Sequence, residues 1–407
     1  MKDLIRRNGL VALAAITLAG CQMQATGLDT PPAAVPATEE QGEFHPNNIQ
    51  PFLDSLKGER QTQAIAVKSV DTARSLLVTN LKVVNDPVRS AAGGAWHFGT
   101  LMTRMAGRVN PSTFTLNWLN SWKTARTING DTAAARAGIQ NLVIAPWLKA
   151  SGGKTLDLKK APFRLLAIVN RLDLRTAGNA GEGRFIYGVV DAAGNPTQFT
   201  VILEYGIPLA NAKVGSVKGW ATQWQNLSKF ALGSAEYNAA LQAITDTFTA
   251  ANANPQKPNG SALNQIRTNE IAISPNWELR EFQIVSSGQL VTVTTKQSPR
   301  HALNNSAALA KFLNDNSANV LAGKHVVPAA MLGVKSSTEV GQWNAPGVKP
   351  DVRKAFAVAT CIGCHQSETG TFFLHVTNRS AGAEAGISSF VRNIELPARA
   401  KDLASLI

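Results

Sequence analysis

The chain of 407 residues holds three cysteines, at positions 21, 361 and 364. The last two sit in a string with evident chemical potential, Cys361-Ile362-Gly363-Cys364-His365. Residues three apart share a face of a helical turn, so both sulfurs can reach the two vinyl-derived carbons along one side of a porphyrin. The adjacent His365 then points a ring nitrogen at iron, as a proximal ligand does. C-x-x-C-H is the attachment pattern of c-type haem, so the expected cofactor is covalent haem c, held by Cys361, Cys364 and His365. Other chemistry stays open for the same residues. Zinc could take Cys361 and Cys364 with a pair drawn from His365, His375 or an acid. The thiols could also form a redox disulfide, although a thioredoxin-like setting expects the motif after a strand near the start of its domain. A plain structural disulfide is the simplest alternative.

No methionine follows His365, so the His/Met arrangement of small c-type cytochromes is absent. A sixth ligand must come from elsewhere. His375, ten residues on in the strand-like run Thr371-Phe372-Phe373-Leu374-His375-Val376, could return across the iron. Met331, His325, His301 and His97 are further candidates, as are water or a substrate. His97, in Trp96-His97-Phe98-Gly99, reads rather as a packed or surface residue. Arg353, Lys354 and Arg379 lie near the motif in sequence and could pair with haem propionates or simply be solvated.

The elements that must position these residues are of both kinds. Thr113 to Lys123 carries Phe114, Leu116, Trp118, Leu119 and Trp122 at helical spacing, with a start at Pro111-Ser112. Leu101, Met102 and Met105 extend another amphipathic piece from Phe98, and Trp220 to Ala251 is helical again. Phe163 to Leu174 reads as a buried strand. Phe185 to Val190 and Phe199 to Tyr205 form a hairpin across Asp191 to Pro196. Glu270 to Ile273, Glu278 to Val285 and Leu290 to Thr295 are further strands, the last two joined by Ser286-Ser287-Gly288. Val352, Ala355, Phe356 and Ala359, capped by Asp351, predict a helix that leads into the motif. The fold class is therefore α+β, a mixed helical and antiparallel-sheet body with a C-terminal helix-borne C-x-x-C-H segment.

Composition agrees with a globular body: 44% of residues are hydrophobic and 16% charged, with 32 Gly and 19 Pro, which excludes collagen-like and wholly disordered chains. Three cysteines exclude a disulfide-built scaffold. There is no H-E-x-x-H, G-x-S-x-G or P-loop pattern. Arg171, Asp173, Glu182, Arg184 and Glu204 lie among apolar neighbours and could form a pocket, or a network of paired charges that survives burial only by pairing. The eight tryptophans, with Trp118/Trp122 and Trp220/Trp224 one turn apart, read as core.

The beginning of the chain is an address. Lys2, Arg6 and Arg7 precede an apolar run from Leu10 to Gly20 that is too short to span a bilayer but suits a signal segment. Leu18-Ala19-Gly20-Cys21 resembles the lipobox of bacterial lipoproteins. That resemblance implies cleavage before Cys21 and acyl chains on its sulfur and new amino group, so residues 1–20 are a signal peptide and Cys21 is a membrane anchor. Gln22, where a retention signal would carry Asp, points by analogy to the outer membrane of the cell envelope. Residues 21–50, rich in Ala, Pro, Thr and Gln, read as a flexible tether with a root-mean-square span of about 25 to 30 Å. The body then runs over 51–407, or over 51–345 with a haem-binding segment at 346–407. The formal charge of +13 is scattered rather than gathered in a run, so no nucleic-acid partner is expected. Anionic lipid, haem propionates or an acidic redox partner would suit it.

The segments Phe163 to Leu174, Gly181-Glu182-Gly183-Arg184-Phe185, Leu263 to Ile271 and Cys361 to Phe373 together resemble a family of uncharacterised bacterial lipoproteins. The similarity runs from about Ala95 onward and implies that the motif belongs to the same folded unit as the body; it implies no activity. The expectation is a lipid-anchored monohaem c-type protein that transfers electrons or binds a ligand at iron. The alternative is a non-redox envelope binding or scaffold lipoprotein in which zinc or a disulfide at Cys361 and Cys364 staples the C-terminal region. Whether the body is an enzyme is left open by its residues.

Overall fold

The computed structural model describes residues 69–407; the signal segment, Cys21, the tether and the first part of the body, 51–68, lie outside the described residues. The strands are, in chain order, β1 (Leu77–Val78), β2 (Arg126–Ile128), β3 (Asp131–Ala133), β4 (Phe163–Arg171), β5 (Asn179–Val190), β6 (Pro196–Pro208), β7 (Leu263–Glu270), β8 (Glu278–Ile284), β9 (Leu290–Val293) and β10 (Lys335–Ser337). An eight-stranded sheet has the order β1-β4-β5-β6-β7-β8-β10, with β9 also paired to β8, while β2 and β3 form a separate hairpin. All its pairs are antiparallel. Helices and an antiparallel sheet share the chain, as the α+β reading expects.

The β5–β6 hairpin turns where its residues dictate. The carboxylate of Asp191 accepts from the amides of Ala193 and Asn195 at 2.9 and 2.8 Å, and Gly194 takes a φ of 83°, a conformation open to glycine. Both strands outrun the apolar stretches seen in sequence. Residues 179–184 are poor strand formers, yet pairing to β4 and β6 extends them. Gly183 is part of the reason, because a Cβ there would lie 2.3 Å from the Phe248 ring.

Alternation divides the sheet into two unlike faces. One presents Phe185, Tyr187, Phe199, Tyr205 and Phe282 to rings from the helical layer: Phe98, Trp118, Trp122 and Phe248. The helices Phe98–Ala106, Pro111–Asn120 and Ala235–Thr249 supply most of these rings. Each starts on a side-chain cap, His97, Asn110 and Ser234 respectively, and Pro111 occupies a first-turn position where its missing N–H is harmless. All eight tryptophans are among the largest fully buried side chains. Each contributes several kcal/mol of burial, at roughly 25 cal/mol per Å².

The other face of the sheet carries Arg184, Ile186, Ile202, Glu204, Arg267, Asn269 and Leu279, and the C-terminal segment covers it. That segment comprises the helix Pro350–Ala359, the motif, an irregular stretch, and the helix Leu396–Leu406. Its Val352, Phe356, Ile362 and Leu403 join the same core cluster as the sheet.

Several expected elements are placed differently. The strand expected at Glu270 to Ile273 is instead β7, Leu263–Glu270, with a turn after it; its polar Gln265, Arg267 and Asn269 hide the strand pattern. The helix read across Trp220 to Ala251 breaks into Val217–Asn226 and Ala235–Thr249 at Gly233, which has a φ of 73°. The helix before the motif stops at Ala359, because Thr360 is extended, so the motif forms its own turn. Asp351 lies inside that helix's first turn, and Lys349 is the capping residue. The run around His375 is irregular, bent at Phe373 with a φ of 55°, and its only strand-type pairing is an isolated bridge between Val376 and Ile387.

Candidate functional site

The motif turn is pinned from three sides. The amide of Cys361 donates to Ser298 Oγ at 3.2 Å and that of Ile362 to Ser336 Oγ, on β10, at 3.1 Å. The amide of Cys364 closes back on the Thr360 carbonyl at 3.0 Å. Gly363 leaves no room for a side chain, since a Cβ would meet the Ala357 carbonyl oxygen at 1.8 Å. The turn therefore holds both cysteines against the sheet.

Neither cysteine is in a disulfide, and both are buried. Burial pushes the Cys361 thiol up to about 11, although Arg267 and a hydrogen bond with Ser298 oppose the rise. Burial, with Glu395 and Cys361 adding to it, drives the Cys364 thiol higher still. Both are thus neutral thiols at pH 7.

His365 is held by the bent loop. Its Nδ1 lies 2.5 Å from the carbonyl oxygen of Phe373, the Phe373 amide donates to the His365 carbonyl at 2.9 Å, and its ring stacks on Trp277 with centroids 5.6 Å apart. A proton on Nδ1 satisfies that carbonyl and leaves the Nε2 lone pair to bind. Burial lowers this imidazole to about 4, the Phe373 bond opposing only in part. Neutral His365 is therefore the form present at pH 7.

His375 meets the same turn. Its Nε2 lies 3.3 Å from Cys364 Sγ and its Nδ1 2.9 Å from Ser388 Oγ. Burial, then the neighbouring His365, holds its pKa well below the usual histidine value. The two imidazole centroids are 4.5 Å apart and tilted by 53°. Nitrogens on opposite sides of one metal lie about 4 Å apart with the ring radii still to be added. In this arrangement His375 is accordingly a partner of Cys364, and ligation across from His365 would require it to swing away.

Between the motif and the sheet lies a cavity of about 90 Å³, lined by Cys361, His365, His375, Val376 and Val391 on one side and by Val169, Ile186, Ile202, Leu279 and charged residues on the other. Register sets those charges opposite one another: Arg171 faces Glu182, Arg184 faces Glu204 and Arg267 faces Glu281. Arg184 lies 3.1 Å from Glu204 and 2.6 Å from Glu182. Arg267 lies 3.0 Å from Glu281 and 3.3 Å from Glu204. Arg171 grips Asp173 at 2.8 Å, and Arg399 pairs with Glu395. Burial would raise the carboxyl of Asp173, but Arg171 and Arg399 outweigh it and hold it at about 2. Glu182 is likewise held at about 2, Arg184 and Lys296 overcoming burial.

The polar cluster noted in the middle of the sequence and the C-terminal motif thus form one site. Sequence reasoning missed Gln265, Arg267, Asn269 and Glu281 on β7 and β8, and Glu395 and Arg399 at the C-terminal helix. The alternating polar residues of β7 were the signal available.

Among the described residues, the other histidines and Met331 do not line the cavity. His97 caps a helix through the Gly99 amide at 3.2 Å, His301 lies 2.8 Å from Glu339, His325 packs on Phe356, and Met331 accepts through its carbonyl from Arg300. Arg353 pairs with Glu368 at 2.7 Å. Arg379 donates to the carbonyls of Leu165, Ser380, Ala381 and Ala383 and to Asn85, so it ties the C-terminal loop to the sheet rather than facing the cavity. Among the described residues, no three His, Cys, Asp or Glu side chains converge on a metal position, and no helix is long and apolar enough to cross a membrane.

As donors, the residues fit haem c: two cysteines three apart that form no disulfide, an adjacent imidazole oriented through Nδ1, and an aliphatic wall opposite. The cavity itself is smaller than the roughly 300 Å³ at which pockets for organic ligands begin, so a porphyrin requires the motif turn to stand further from the sheet. Comparison with protein families, with curated proteins and with solved structures returned no match.

Proposed function

We propose that this protein is a lipid-anchored monohaem c-type protein of the bacterial envelope that transfers single electrons or binds a small ligand at iron. Cys361 and Cys364 would hold the group through thioethers and His365 through Nε2. Bound there, haem would supply one-electron chemistry or an iron-bound ligand position. The observation that carries the reading is the bond between His365 Nδ1 and the Phe373 carbonyl oxygen, 2.5 Å long, beside two buried cysteines that form no disulfide. The protein's own residues orient that imidazole, keep it neutral, and exclude water through Trp277, Val376 and Val391. An acidic redox partner would suit the basic chain.

The test is production with a cytochrome c maturation system, followed by a pyridine haemochrome spectrum and iron analysis. Haem that stays with the chain on denaturation, and is lost in Cys364→Ala, supports the reading. A matured wild-type sample without colour or iron overturns it. A second reading has one observation in its favour, the small cavity of about 90 Å³: Cys361 and Cys364 as core residues of a non-redox binding or scaffold lipoprotein, stapled by a disulfide or zinc. An iron-free, fully folded protein is what that reading expects.

A further inference from the structure

A second groove, of about 480 Å³, opens beside the motif loop, between the start of β6 and residues 369–390. Its volume falls in the range of ligand sites, about 300 to 1,000 Å³. Although the chain has 40 basic and 27 acidic residues, no Lys, Arg, Asp or Glu among the described residues lines this groove. Its surface is largely apolar, with Phe372 and Phe390 as aromatic walls beside Leu374 and Ile387, and the polar groups interspersed on it are uncharged hydroxyls and amides, among them Gln198 and Ser389.

Phe372 is 72% exposed, and its exposure is imposed by the backbone. Phe373 has a φ of 55°, a left-handed conformation that a bulky residue rarely adopts. It is held there by its two hydrogen bonds to His365 and by its stack on Trp277, 5.3 Å between centroids. With Phe373 turned inward, Phe372 must turn outward, onto the rim of the groove.

We propose that this groove binds a neutral saccharide. Such a ligand offers many uncharged hydroxyls and an apolar C–H face, and it matches a surface of side-chain hydroxyls and amides beside an exposed aromatic ring. A charged ligand would lose hydration without meeting a counter-charge. None of the groove residues it uses is a haem ligand, and sugar binding is read without reference to haem.

The test is calorimetric or NMR titration of the purified full chain with maltotriose, cellotriose and fully N-acetylated chitotriose up to about 10 mM, the weak end of specific affinity, with a glucuronate trisaccharide as the charged control. The expected result is saturable binding of at least one neutral sugar, at least fivefold tighter than the control. Phe372→Ala and Gln198→Ala, both at exposed side chains, should each weaken it fivefold or more with unchanged melting temperature. Failure of all three neutral sugars to saturate, equal binding of the charged control, or affinities indifferent to both substitutions would overturn the proposal.

Discussion

His365 and Phe373 hold each other twice: the imidazole Nδ1 lies 2.5 Å from the Phe373 carbonyl oxygen, and the Phe373 amide returns a bond of 2.9 Å to the His365 carbonyl. The reciprocal pair fixes ring tautomer and loop bend together. One local feature thereby aims a histidine nitrogen and exposes the neighbouring Phe372.

Burial of His365 makes the haem-free protein acid-sensitive. Burial lowers the folded imidazole to about 4, against the ordinary histidine value of about 6.5, so between those pH values the unfolded chain binds a proton that the folded chain does not. The stabilisation is whole above pH 6.5 and is lost as pH falls toward 4, by about 3 kcal/mol in total. His375, lowered in the same direction, adds to the loss. Urea midpoints of haem-free protein at pH 7 and pH 4.5 should fall clearly for wild type and less for His365→Gln. Equal slopes for the two proteins would rule out His365 as the buried neutral group.

Gly363→Ala should disrupt the motif turn, because the new Cβ would collide with the Ala357 carbonyl oxygen, 1.8 Å away. The required shift costs about 1–3 kcal/mol and misplaces both cysteines. A lowered melting temperature together with reduced covalent haem is expected; a variant that melts and matures like wild type would contradict the turn geometry.

Glu204 sits between Arg184 and Arg267 and is fully buried. Glu204→Leu leaves two guanidiniums short of a counter-charge and should destabilise by about 3–5 kcal/mol, read as a shift in denaturant midpoint at constant slope. A loss under 1 kcal/mol would mean that the cation lattice is solvated rather than dry.

Arg379→Ala should free the loop that its guanidinium ties to Leu165 and Asn85. Limited proteolysis is expected to cut near Ala381 to Ala383 in the variant many times faster than in wild type, with the absorption spectrum of the native, matured protein unaltered. A changed spectrum with an uncut loop would place Arg379 at the cofactor instead.

What could be read from the residues was local. Tryptophans at i,i+4 spacing marked the helical layer, Asp191 to Pro196 marked the hairpin, and five consecutive residues marked the motif. The union of Arg171, Arg184 and Glu204 with Cys361 was not legible, because it depends on the register of four strands and on which sheet face the C-terminal segment covers. Strand β7 was misplaced for a related reason: Arg267 and Asn269 face a charged layer, so the apolar alternation that announces a half-buried strand is missing. Phe373 hid the bend at His375, since nothing in Phe372-Phe373-Leu374 suggests a left-handed residue.

Every strand precedes Cys361 in the chain, and the last of them ends at Ser337. In vectorial export the sheet's strands would all cross before either thiol, so the sheet could begin to pair ahead of them. A maturation enzyme would then meet two reachable sulfurs on a chain whose scaffold already exists, and docking of the final helix would seal the product inside.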